Sequence, residues 1–108
     1  MATDEDLRTL AMGLEGTTSQ PHFDRIAFKA KRIFVTLAAD GRSANLTLTP
    51  DEQAFKVMMQ PAAFSVVPNA WGAQGWTRVE LAALTIEDLR ASLEMAWEHG
   101  RAKTARSR

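Results

Sequence analysis

The 108-residue chain has no cysteine. That absence excludes a disulfide framework, a thiolate metal site and a cysteine nucleophile, and it fits a reducing compartment. Net charge is missing too: thirteen Lys and Arg balance thirteen Asp and Glu. A dedicated nucleic-acid binder usually carries a basic excess, because neutralising phosphates supplies much of its affinity. Any such contact here has to come from a local patch. No apolar run approaches the roughly 20 residues that span a bilayer. The opening Met1-Ala2-Thr3-Asp4-Glu5-Asp6 lacks the basic and apolar regions of a signal peptide. The expectation is a cytoplasmic protein with no membrane contact. Histidine is limited to His22 and His99, with no ligand pair at metal spacing. No serine sits in a Gly-x-Ser-x-Gly setting, and no glycine loop follows a strand and opens a helix as phosphate-cradling motifs require. These gaps predict no cofactor, no metal and no enzymatic activity.

What is present is enough to fold. The 45% hydrophobic content is typical of a globular chain, and at this length about two thirds of the unfolded surface can be buried without a staple. We read residues 1–100 as one domain without repeats or linkers. Residues 101–108, with four basic groups and no acid, read as a disordered basic tail.

Thr3 starts a helix, with Asp4, Glu5 and Asp6 at its positive end and Leu7, Leu10, Ala11 and Leu14 as its buried stripe. From Thr17 to Thr49 the period changes to two. Ile26, Phe28 and Ala30, then Ile33, Val35 and Leu37, then Ala44, Leu46 and Leu48 alternate with outward residues, each run a strand with one buried face. Asp40-Gly41 marks a hairpin. Thr49-Pro50-Asp51-Glu52 opens a second helix through a capping box, with Phe55, Met58 and Met59 expected against the sheet and Pro61 as its end. Phe64 to Val67 reads as a short strand, Pro68 to Gly75 as a loop, and Trp76 to Leu81 as another strand. Thr85 caps a third helix, ending at Gly100. The order helix, strands, helix, strands, helix predicts an α+β fold: two layers, an antiparallel sheet with helices mainly on one face.

Several stretches together resemble the MmcQ/YjbR family of small bacterial proteins. They are Pro21-His22-Phe23, Phe28, Arg32 to Leu37, Ala44-Asn45-Leu46, Asp51-Glu52-Gln53, the run Asn69 to Thr77, and Leu89 to Trp97. The resemblance covers nearly the whole chain except the tail. It implies a compact α+β fold with an antiparallel sheet and a DNA-binding role through a double wing of hairpins. Family members often place a glycine in the hairpin after the Phe28 position, where this chain has Lys29-Ala30-Lys31-Arg32.

Three candidate surfaces follow. The first is basic: Arg25, Lys29, Lys31, Arg32, Arg42 and Arg78, which would contact the phosphates of double-stranded DNA if the hairpin tips project the same way. Against it stands a solvated sheet face whose lysines discourage edge pairing, and no aromatic clearly interleaves with these cations as a stacking platform requires. The second is Trp71-Gly72-Ala73-Gln74-Gly75-Trp76. Its glycines serve turns and its tryptophans packing, unless a rim is open, where Trp71 or Trp76 becomes a binding anchor. The third is His22, a proton carrier or ligand by chemistry and a turn residue by position, while His99 suits the end of its helix. The expectation is a non-enzymatic DNA-binding module. The alternative is a protein- or peptide-interaction module using a sheet edge or the Trp71–Trp76 loop. An enzyme with a pocket near His22 and Trp71 comes third.

Overall fold

Residues 1–102 are described by the computed structural model, so all but the start of the expected 101–108 tail lies outside the described residues. Each long helix starts where a side-chain oxygen can take an orphan backbone N–H. The α1 helix (Asp4–Met12) opens with a capping box in which Thr3 Oγ1 accepts from the Asp6 N–H at 3.1 Å and the Asp6 carboxylate accepts from the Thr3 N–H at 3.0 Å. The α2 helix (Pro50–Met59) repeats the device with Thr49 and Glu52, with Pro50 where no N–H is needed. Thr85 caps the α4 helix (Ile86–Gly100). Each such cap is worth about 1 kcal/mol. Between α2 and α4 lies an unexpected single turn, α3 (Ala70–Ala73), started by Asn69, whose side chain accepts from the Trp71 N–H at 2.8 Å.

Six strands form one antiparallel sheet in the order β1-β2-β3-β4-β6-β5: β1 (Thr18–His22), β2 (Arg25–Lys29), β3 (Ile33–Leu37), β4 (Ser43–Thr47), β5 (Phe64–Val66) and β6 (Trp76–Glu80). Gly41 turns the β3–β4 hairpin at φ +73°, as Asp40-Gly41 predicts. The periodicity does not predict β1. Its Thr-Ser-Gln-Pro-His run has no apolar alternation because it is an edge strand that buries neither face, and Pro21 is tolerated only on such an edge.

One face of the sheet is covered. Ile26 and Phe28 lie opposite Leu37 and Val35, which lie opposite Ala44 and Leu46; Ala44 meets Val79, and Val79 meets Phe64. This apolar surface packs against Leu89, Leu93 and Ala96 of α4 and Leu7 and Ala11 of α1. Burying each large side chain there contributes about 1.5–3 kcal/mol.

Two expectations fail, each for a local reason. Strict alternation turns Ile33 inward and Phe34 outward. The register shifts between Phe28 and Lys29, so that Phe28 opposes Val35 while Lys29 opposes Ile33. The extra residue is a β-bulge in β3. Phe34 is therefore fully buried against Gly100, where even a Cβ would lie 2.8 Å from that of Phe34, and Ile33 moves to the opposite face. In α2 the expected inward residues Phe55, Met58 and Met59 are exposed and Gln53 is buried. The Gln53 amide donates to the carbonyls of Gly72 at 3.0 Å and Trp76 at 2.9 Å, which turns that face of the helix toward the 72–76 segment. A buried amide with its donors satisfied fixes the helix rotation, and the strand that α2 packs on most is the edge strand β5.

Candidate functional site

The other face of the sheet carries no helix. Arg25 and Ala27 of β2, Ile33 and Thr36 of β3, Asn45 and Thr47 of β4, and Trp76 and Arg78 of β6 point to it by register. The β1–β2 turn walls it on one side and the segment from Val67 to Trp76 on the other, enclosing a groove of about 710 Å³. That size falls within the roughly 300–1,000 Å³ of ligand sites. An adjoining pocket of about 290 Å³ shares Ile33, Trp71 and Trp76 with it and reaches Arg32 and His99.

The first wall is built at a cost. Pairing of His22 with Arg25 leaves Phe23 and Asp24 as a two-residue turn. Phe23 takes φ +60°, the left-handed region that such turns normally give to glycine. A bulky residue there is strained by about 1–3 kcal/mol. The residue is 93% exposed, and its ring stands edge-on to His22 with centroids 4.9 Å apart.

The second wall explains both glycines of the tryptophan segment. A Cβ at Gly72 would overlap the Val67 carbonyl, and one at Gly75, at φ +111°, would overlap that of Leu48. These close approaches, with the two Gln53 bonds, fix the segment in place. Trp76 is half-buried at the groove side, whereas Trp71 is 59% exposed. The structural reading of the glycines holds, and the rim at Trp71 is open.

The floor holds a cation. Arg25 Nε donates to Thr36 Oγ1 at 2.9 Å and Nη2 donates to the Thr36 carbonyl at 3.1 Å. Among the described residues Arg25 forms no ion pair; the pairs present are Arg78–Glu80, His99–Glu52 and Arg101–Glu98. Burial pushes the Arg25 guanidinium below its ordinary pKa; Asp24 and Asp40 act to raise it, and Arg78 to lower it. An arginine keeps its charge even so, leaving a partly desolvated cation with free donors facing the groove.

The structure separates the expected basic surface. Successive hairpins in an antiparallel meander turn at alternate ends, so the β2–β3 tip with Lys31 and Arg32 and the β3–β4 tip with Arg42 lie at opposite ends of the sheet, about 17 Å apart for a five-residue strand. The two tips do not project the same way. The β2–β3 tip is also tied down. The Lys31 and Arg32 N–H groups both donate to the Gly100 carbonyl, at 2.9 and 2.8 Å, and Arg32 Nη2 donates to the His99 carbonyl at 3.0 Å. Cations at the carbonyl end of α4 suit its dipole. Arg78 pairs with Glu80 at 2.8 Å, and Lys29 ends β2 beside the bulge. Of the six cations, Arg25 lines the groove and Arg32 its extension.

The fold instead gathers His22, Trp71 and Trp76 in one groove with Arg25. Phe28 and Phe34, which lie among the cations in the sequence, are buried on the covered face, and the rings beside Arg25 come from other segments. Phe23, Asn45 and Asn69 also line this groove, and none of them is among the candidate contact residues of the sequence. The signal for Phe23 depends on β1, which has no apolar pattern, and Asn45 reads in sequence as an outward residue of its strand. His99 Nε2 lies 2.8 Å from Glu52 Oε1. Among the described residues no group of His, Cys, Asp or Glu is assembled to hold a metal ion, and no helix is long and apolar enough to cross a membrane.

No family model and no curated protein matches the chain. Its structure is similar to the crystal structure of Deinococcus radiodurans protein DR2400, which carries a DUF419 domain, with a TM-score of 0.76 and 18% identity over 90% of this chain and 77% of that one. The likeness shows the fold, a small α+β domain of this architecture.

Proposed function

We propose that the chain is a non-enzymatic DNA-binding module of the MmcQ/YjbR-like group, working in the cytoplasm, and that it meets DNA in the groove on the uncovered sheet face, not at its hairpin tips. The observation that carries this reading is the placement of Arg25, free of any ion pair among the described residues, on a floor flanked by Phe23, Trp71 and Trp76. A cation that can take a phosphate beside aromatic faces that can take bases is the pairing nucleic-acid surfaces use. The DNA-binding role that the sequence resemblance implies supports the same partner. A binding role without chemistry is supported by the different settings of the two histidines, His22 against Phe23 in the groove and His99 against Glu52 in its extension.

Two double variants test the location. In fluorescence anisotropy with mixed-sequence DNA at low salt, Arg25→Gln with Trp71→Ala abolishes measurable binding, whereas Lys31→Ala with Arg42→Ala leaves it within a few-fold. The reverse pattern returns the contact to the hairpin tips.

A protein partner is a second reading with its own observation. Phe55, Met58 and Met59 form an exposed i, i+3, i+4 stripe on α2, the helix beside the edge strand β5. Serine substitution at Met58 and Met59 would then reduce self-association or partner capture while leaving DNA binding unchanged.

A further inference from the structure

We infer that the groove takes single-stranded DNA, and that it discriminates against the duplex by stacking unpaired bases on Trp71 and Phe23 while Arg25 holds a phosphate. This rests on the DNA-binding reading above and goes on to say which form of DNA is bound.

The aromatic surface is the first argument. Phe23 at 93% and Trp71 at 59% exposure offer wide apolar surface on opposite walls of one groove. A base pair inside a duplex has both faces covered by its neighbours, so these side chains gain nothing from it. An unpaired base has a free face for either ring. The strain at Phe23, whose φ of +60° holds a phenyl ring in water, is of the sort that persists where the exposed group has work to do.

The position of the charge is the second argument. Two of the five guanidinium N–H donors of Arg25 are engaged by Thr36, which fixes the plane and leaves the other three for a ligand. This cation lies on the floor between the walls, within reach of a thin flexible strand; a duplex rides on phosphates at the rim. Asp24 is the one carboxylate among the described residues lining the groove or its extension, against Arg25 and Arg32. Ile33 to Thr36, which join the two cations along the floor, span about 10 Å of strand, the length of about three stacked bases at 3.4 Å each. Asn45 presents an amide to the same floor, a group that can bond the edge of an unpaired base.

The test uses the full chain and a fluorescein-labelled mixed-sequence DNA of roughly 12 nucleotides, within the span of known single-strand sites, as a single strand and as a blunt duplex. The single strand is expected to bind about tenfold or more tightly than the duplex, and Trp71→Ala to weaken the single strand about tenfold with Trp71→Phe recovering most of the loss, in line with stacking on one base. Arg25→Gln is expected to lower the slope of log affinity against log salt by about 0.7, the share of one single-strand phosphate. Equal affinity for the two forms, with both weakened by Trp71→Ala, overturns the single-strand inference and leaves the groove as the DNA site. Absence of binding to either form at about 50 mM salt, where phosphate contacts are strong, overturns the DNA reading itself.

Discussion

The two faces of the sheet share strands and differ in what holds their residues. On the covered face, Phe28, Val35, Leu37, Leu46 and Val79 are locked by α1 and α4, and each contributes through buried area. On the uncovered face Arg25, Thr36 and Asn45 are polar, and the large apolar groups, Phe23 and Trp71, stand in solvent. The first face explains why the chain folds. The second contains what folding does not require: an arginine with no acid partner among the described residues, a strained phenylalanine and an open tryptophan. A domain stabilised on one side is free to keep such residues on the other, and that contrast is the ground for proposing the uncovered face as the functional surface.

The sharpest way to separate the faces is a cavity in the covered one. Leu93→Ala or Leu46→Ala should destabilise the protein by about 2–5 kcal/mol in urea unfolding, while ligand affinity measured well below the transition stays unchanged. Next comes the wall of the groove: Gly72→Ala drives a Cβ into the Val67 carbonyl and should cost about 2–3 kcal/mol, this time with loss of binding, because Trp71 moves with its segment. Phe23→Gly should act in the opposite direction on stability. It relieves a positive φ and raises stability by up to about 1 kcal/mol while weakening binding. The smallest effect belongs to Trp71→Ala, which should change stability by no more than about 0.5 kcal/mol yet reduce affinity about tenfold. If Trp71→Ala destabilised the fold as much as Leu93→Ala, the division between the faces would fail.

The covered face was legible in the sequence. The period-two runs from Ile26 to Leu48, the Asp40-Gly41 turn and the threonine caps at positions 3, 49 and 85 each rest on local rules, and the structure contains the features they predict. The departures come from forces that local periodicity does not record. The β-bulge exchanges Ile33 and Phe34 because α4 ends on Gly100 over that point. The buried Gln53 turns α2 because it bonds carbonyls 19 and 23 residues away. The site was legible only in pieces. His22, Arg25, Trp71 and Trp76 stood out by residue type, but their meeting is a product of strand order, which brings the 67–76 segment beside β4 through β6. The same order parts Lys31 and Arg32 from Arg42. Phe23 stayed hidden because an edge strand that buries nothing leaves no pattern.

The most direct test of the claim that the uncovered groove is the contact surface is a ¹H–¹⁵N NMR titration of the full chain with single-stranded DNA. The Trp71 and Trp76 indole N–H, the Arg25 Nε–H and the Asn45 and Asn69 side-chain amides should shift together. The Trp97 indole, which donates to the Glu15 carbonyl at 3.0 Å, should stay fixed as the internal reference. Shifts confined to Lys29 to Arg32 and Arg42, with the groove signals unmoved, would contradict the account and return the contact to the hairpin tips.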